Sequence, residues 1–99
     1  MPVKTEEIKE IKILPSGELI LVLRSGGNPN YQHIYREAAE VYWDNNLSAF
    51  ISPKPRKWSY LDWFNHIVKT TKNININLKL TESTAWVNIT PKLKAQMVI

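Results

Sequence analysis

Trp58-Ser59-Tyr60-Leu61-Asp62-Trp63-Phe64-Asn65-His66-Ile67-Val68-Lys69-Thr70-Thr71-Lys72 is the stretch whose reading decides the fold. At about 100° per residue, Tyr60, Leu61, Trp63, Phe64, Ile67 and Val68 fall on one broad apolar stripe. Asp62, Asn65, His66, Lys69 and Lys72 fall on the other side. Ser59 has N-cap chemistry, and Asp62 three residues on resembles the acid of a capping box, one methylene shorter. The spacing predicts an amphipathic helix over residues 59 to 72.

Strand patterns dominate on either side of it. Ile11 and Ile13 alternate with Lys12, which predicts an edge-like strand over residues 7 to 14. Pro15-Ser16-Gly17 is turn chemistry, and Glu18 to Arg24 follows as the second arm of a hairpin. Its five consecutive apolar residues, Leu19 to Leu23, cannot share one face, because strand side chains alternate. That strand is therefore expected at the centre of a sheet covered on both faces. Val41-Tyr42-Trp43, Asp44-Asn45-Asn46 and Leu47 to Ile51 read as a second hairpin. Ile74, Ile76, Leu78 and Leu80 alternate with Asn75, Asn77 and Lys79, one face buried and one wet. Thr84 to Ile89 reads as a last strand with Ala85, Val87 and Ile89 inward and Trp86 outward. Thr90-Pro91 opens a short closing helix through Met97.

Residues 31 to 42 admit two readings. Tyr31, His33 and Tyr35 alternate with Ile34, which suits a strand over 31 to 36, the reading taken here. Asn28 followed by Pro29, with Arg36-Glu37-Ala38-Ala39-Glu40 beyond, suits a helix instead. Strands around one substantial helix give a single α+β domain spanning 1–99. Its mainly antiparallel sheet packs on that helix, with the short C-terminal helix beside it.

Composition narrows the function classes. The chain has 99 residues, 43% of them apolar, and no cysteine. Disulfides, thiol catalysis and cysteine-based zinc sites are excluded, and a cytoplasmic location is expected. The longest apolar run is far short of the roughly 20 residues that span a bilayer, and the N-terminus lacks a secretory h-region. The net charge of +4 is uneven: −2 over residues 1–50 and +6 over residues 51–99. An acidic partner would approach the second half.

Three of the four Trp lie between Trp43 and Phe64, around the basic loop Pro53-Lys54-Pro55-Arg56-Lys57. Lysine and arginine can neutralise phosphates while exposed rings stack on unpaired bases. The plainer reading is that the prolines stiffen a lead-in to the helix and the charges are solvated. Asp62 and His66, four apart, could form a carboxylate–imidazole pair, but no nucleophile accompanies them. Two His with no HExxH pattern and no EF-hand spacing supply no recognisable metal site, and nothing calls for a cofactor.

The segments Gly17-Glu18-Leu19-Ile20-Leu21-Val22-Leu23, Ser25-Gly26-Gly27-Asn28-Pro29, Val41-Tyr42-Trp43-Asp44, and Trp58-Ser59-Tyr60 with Trp63-Phe64 carry a family likeness. They resemble small bacterial proteins of the integron gene-cassette type, over most of residues 8 to 89. That resemblance implies a compact α+β fold, frequent oligomers and no assigned reaction.

The sequence is read as a non-enzymatic binding or interaction module that self-associates as a homodimer through an apolar sheet face. Its partner is an unknown protein or a small polar ligand, and Trp43, Trp58, His33, Tyr35 and Trp86 are the candidate ligand-binding residues. The first alternative is a nucleic-acid-binding accessory protein using Lys54, Arg56, Lys57, Lys92 and Lys94. The second is a small hydrolase or isomerase with a pocket of His33, Tyr35, Asp44 and His66.

Overall fold

The computed structural model describes residues 4–26, 29–36 and 40–98. In chain order these form β1 (Lys4–Ile13), β2 (Leu19–Leu23), a 3₁₀-helix (Pro29–Arg36), β3 (Tyr42–Asp44) and β4 (Ala49–Ile51). The helix α1 (Tyr60–Asn73) follows, then β5 (Ile76–Lys79), β6 (Ala85–Val87) and α2 (Pro91–Met97). The strand order is β3-β4-β2-β1-β5, with β6 also on β1. This is an α+β fold with a mostly antiparallel sheet. The β1–β2, β2–β4 and β3–β4 pairings are antiparallel, whereas β5 and β6 run parallel to successive stretches of β1.

β2 is central, as its unbroken apolar run requires. Leu19, Leu21 and Leu23 enter the main core, while Ile20 and Val22 join a second cluster with Leu14, Ala49 and Ile51. In β1, both Ile8 and Ile11 reach the main core although they are three apart. The register shifts between Ile8 and Glu10, and such an irregularity returns an odd-spaced residue to the same face.

α1 closes the main core with Trp63, Phe64 and Ile67. Ser59 Oγ accepts from the Asp62 N–H at 3.1 Å, and the Asp62 carboxylate accepts from the Ser59 N–H at 3.0 Å. This reciprocal box fixes the first turn. Ser59→Ala is expected to cost about 1 kcal/mol, read as a lower urea midpoint with an unchanged slope. Thr90 caps α2 from one side only, its Oγ1 accepting from the Leu93 N–H at 3.2 Å, with Pro91 in the first turn.

Four expectations need correction. The strand over residues 7 to 14 is not edge-like, because β1 has β2 on one side and β5 and β6 on the other. Residues 31–36 are not a strand but part of the 3₁₀-helix. Tyr31 and Ile34 are buried, whereas Gln32 and His33 are exposed, so the burial period is three rather than two. Asn28 and residues 37–39, on which the helical alternative also drew, lie outside the described residues. Trp86 is not outward-facing: it packs on the main core while Ala85 is exposed. Its parallel partner is Ile11, itself fully buried, and laterally paired residues share a face. Finally, Ile74 caps α1 rather than opening the strand, and Asn75 takes a left-handed φ of 66° in the turn before β5.

Candidate functional site

The chain leaving β4 is anchored before it reaches α1. Ser52 is buried; its N–H donates to the Leu19 carbonyl at 2.9 Å, and its Oγ accepts from the Leu19 N–H at 3.3 Å. Two residues on, the aliphatic stem of Lys54 lies across Gly17 in the β1–β2 turn. A Cβ added at Gly17 would sit 2.8 Å from Lys54 Cγ, and Gly17 has a φ of +107°. The Tyr60 hydroxyl donates to the Gly17 carbonyl at 2.9 Å, tying the start of α1 to the same turn. The proline loop is thus held at both ends, which sets the path of its backbone beside the β1–β2 turn.

Those side chains line a cleft of about 630 Å³. Trp63 and His66, one helical turn apart on α1, form its inner wall with Trp58. The Trp58 and Trp63 ring centroids are 4.7 Å apart at 55°, and Trp58 meets the His66 ring edge-on at 5.0 Å. Trp58 remains 44% exposed. Lys54, Arg56 and Lys57 line the cleft beside the rings, with Glu40 as the acid among the described lining residues. Glu40 pairs with Arg56 at 2.9 Å and holds a left-handed φ of 69°. Both partners are well exposed, so the pair is weakly held.

Trp63 is the unusual member. It is 8% exposed, and its Nε1–H is buried with no hydrogen-bond partner. An unsatisfied buried donor of this kind costs about 1–3 kcal/mol. Beside it, burial lowers the His66 pKa below its ordinary 6.5, and the Lys69 charge lowers it further. Trp58 and His66 also border a second hollow of about 300 Å³, with Asp62, Asn65 and Lys69.

The neutral His66 gives a pH prediction. As pH falls, the unfolded chain takes up this proton before the folded one does. His66 therefore contributes stability that is present above about pH 6.5 and lost as pH drops through the lower folded value. Lys54, Arg56, Lys57 and Lys69 oppose the imidazolium from the loop and α1, and Glu40 and Asp62 favour it. Stability measured by urea unfolding should fall more steeply on acidification in the wild-type chain than in His66→Gln.

The remaining candidate residues lie elsewhere. Trp43 is buried, edge-on to Tyr31 at 5.3 Å and to Phe50 at 4.9 Å, with its Nε1–H donating to Asn45 Oδ1 at 3.2 Å. Trp86 is half-buried on the core, with Lys94 Nζ 5.4 Å from its ring centroid. Lys92 is exposed on α2. His33 is exposed on the 3₁₀-helix; the Tyr35 side chain lies outside the described residues. One Asp44 oxygen accepts from the N–H groups of Asn46 and Leu47, closing the β3–β4 turn. Asp62 is engaged by the capping box, so it does not orient His66. The structure thus gathers Trp58, Lys54, Arg56 and Lys57, and adds Trp63, His66 and Glu40. In sequence, His66 stands out with Asp62 and with the distant His33, Tyr35 and Asp44, and Trp63 as one of the aromatics near the basic loop, but their meeting with Trp58 in one wall was not legible. Glu40, sixteen residues before Arg56, carried no local signal.

Among the described residues, no group of three or more His, Cys, Asp and Glu could hold a metal ion. No helix among them is long and apolar enough to cross a membrane.

Comparison with known proteins adds a family. The family model described as Integron Cassette Protein Hfx_Cass5 matches residues 11–84. A solved structure of the integron cassette protein Hfx_Cass5 comes from the mobile metagenome of the North West Arm Sewage Outfall. It shares 33% identity, covering 96% of this chain and 93% of that chain, with a TM-score of 0.44. No curated protein matches the sequence. The family description gives a genetic setting and states no reaction. On the family match over residues 11–84, the chain belongs to the Hfx_Cass5 integron cassette protein family.

Proposed function

We propose that this chain is a non-enzymatic binding module whose cleft takes a small ligand combining a flat unsaturated ring with negative charge. The observation that carries this reading is the half-exposed Trp58 ring set against Trp63 and His66, beside Lys54, Arg56 and Lys57. Ring stacking supplies contact area, and the cations supply orientation. The cleft volume falls within the ordinary range of ligand pockets, about 300–1,000 Å³. Arg56 pairs with Glu40, and a ligand anion would compete for it.

Anilinonaphthalene sulfonate, a fluorescent aromatic anion, tests this directly. It should bind saturably, and Trp58→Ala should weaken binding about tenfold, as loss of a stacking ring does. Charge reversal by Arg56→Glu with Lys57→Glu should abolish it. Glu40→Gln should tighten binding roughly two- to fivefold, since it removes a competing surface anion. Binding indifferent to Trp58→Ala and to the charge reversal would end this reading.

Self-association through the sheet face opposite the helices is a second part of the proposal. The apolar cluster there, Ile20, Ala49 and Ile51 with Leu14 and Val22, includes no helical residue. Tyr42, 50% exposed, borders it as the register partner of Ile51. Ile20, Ala49 and Ile51 are already buried within one chain, so a second copy would seat on the half-buried Leu14 and Val22 and on the exposed Tyr42 at its border. Light scattering should give twice the mass of one chain, reduced to one by Tyr42→Lys; a single-chain mass at high concentration contradicts it. A cytoplasmic location completes the proposal, because a chain without cysteine takes no support from an oxidising compartment.

A further inference from the structure

Resting on that ring-and-anion reading, we infer that the cleft's ligand is a nucleobase carrying a phosphate. Three requirements are set by the cleft, and most aromatic anions meet two. A flat face must lie against Trp58, the exposed ring of the cluster. An anionic group must answer Lys54, Arg56 and Lys57, whose charge Glu40 offsets only in part. The third is an acceptor in the plane of the ring, because the Trp63 Nε1–H lacks one.

A hydrocarbon ring bearing a sulfonate or carboxylate has no acceptor on the ring itself, so its one anionic group would have to answer both the cations and the Trp63 donor. A nucleobase offers ring nitrogens and exocyclic oxygens along its edge, and its face stacks whatever the sequence. His66, neutral near pH 7, presents one donor and one acceptor nitrogen beside the same wall, complementary to a base edge. The Trp63 donor is buried, so a base must first displace a neighbour. Trp58 packs against Trp63 at 4.7 Å and is 44% exposed, so Trp58 must shift for a base edge to reach that donor.

The same chemistry is offered by a free mononucleotide and by the unpaired end of a nucleic-acid strand. The test uses the full chain and follows indole fluorescence on titration with adenosine monophosphate, adenosine or inorganic phosphate. In parallel, anisotropy of a short labelled single strand is compared with that of its duplex. Adenosine monophosphate should bind at least about tenfold more tightly than adenosine, consistent with charge-assisted contacts. Inorganic phosphate should fail to quench. Trp63→Phe, which removes the donor and keeps an aromatic ring, should weaken adenosine monophosphate about fivefold while changing anilinonaphthalene sulfonate by less than about twofold. A single strand binding more tightly than the mononucleotide, with the duplex excluded, assigns the strand end as the source; the reverse order assigns the free nucleotide.

Failure of both the mononucleotide and the strand, with Trp58-dependent binding of anilinonaphthalene sulfonate intact, overturns this inference and leaves the broader reading standing. Equal loss of both ligands in Trp63→Phe also overturns it. If Trp63→Phe does not fold, Trp58→Ala serves: adenosine monophosphate affinity unchanged in that variant refutes stacking. Failure of anilinonaphthalene sulfonate as well removes the broader reading itself.

Discussion

Phe50→Ala is expected to cost about 3–5 kcal/mol. Phe50 is 0% exposed and sits where the aromatic cluster meets the sheet. Its ring stacks on Tyr31 at 5.7 Å and meets Trp43 at 4.9 Å, so truncation removes two aromatic contacts as well as apolar burial. Such contacts add about 0.5–1.5 kcal/mol each beyond area. The site has little means of collapsing, because Phe50 belongs to β4 and pairs with Leu21 on one side and Trp43 on the other. A domain of this length has a total stability of about 5–15 kcal/mol, so this variant should be near half-unfolded or markedly weakened at 25 °C. Urea unfolding followed by far-ultraviolet circular dichroism measures it. A loss below about 1 kcal/mol would mean that the core is not built around this ring.

A second large effect is expected at Glu6, a carboxylate only 2% exposed. The Tyr31 hydroxyl donates to Glu6 Oε2 at 2.6 Å and the Ser25 hydroxyl donates to Glu6 Oε1 at 2.7 Å. Lys4 stands 3.7 Å away and is itself exposed. Burial, and then the Glu6 hydrogen bond and charge, push the Tyr31 pKa well above its ordinary 10, so Tyr31 remains a donor at any ordinary pH. Removing one partner strands the other. Tyr31→Phe should cost about 1.5–3 kcal/mol by depriving the buried carboxylate of a charge-assisted bond. Glu6→Leu should cost a similar amount by orphaning the buried Tyr31 hydroxyl. The double variant Glu6→Leu with Tyr31→Phe should be less destabilised than the sum of the two, by about 1–3 kcal/mol. Additive losses in that cycle would show the pair to be uncoupled.

This pair also marks where sequence reading stopped short. Glu6 falls in a run with Thr5 and Glu7 that looks solvent-facing. Its burial depends on Tyr31, twenty-five residues later, in a segment whose alternation suggested a strand. Proline at the start of that segment and a three-residue spacing of Tyr31 and Ile34 select the 3₁₀-helix, and that turn delivers the hydroxyl to Glu6. α1 was legible because cap, stripe and polar face all agree locally. β2 was legible because five apolar residues in a strand demand two covered faces. The orientation of Trp86 was not, since it depends on pairing with Ile11 across a parallel connection, and short strands specify that poorly from their own residues.

The candidate site divides in the same way. Trp58 and the basic loop stood together in the sequence and stand together in the cleft. Trp43 is adjacent in composition only; the hairpin turns it into the core, where Asn45 satisfies its N–H. The contrast with Trp63 is informative. Two indoles are buried to a similar degree, one with its donor satisfied and one without, and the unsatisfied one lines the cleft. Sequence alone could not separate them, because satisfaction of a donor is a property of tertiary neighbours.

The chain's four Trp provide the most direct measurement: the indole N–H cross-peaks of a ¹⁵N-labelled sample, followed by nuclear magnetic resonance while anilinonaphthalene sulfonate is added. The expected result is progressive movement of the Trp58 and Trp63 peaks, assigned by single substitution, while the Trp43 and Trp86 peaks stay in place. Movement confined to Trp43 or Trp86, or four stationary peaks at saturating ligand, would contradict a binding cleft at the start of α1.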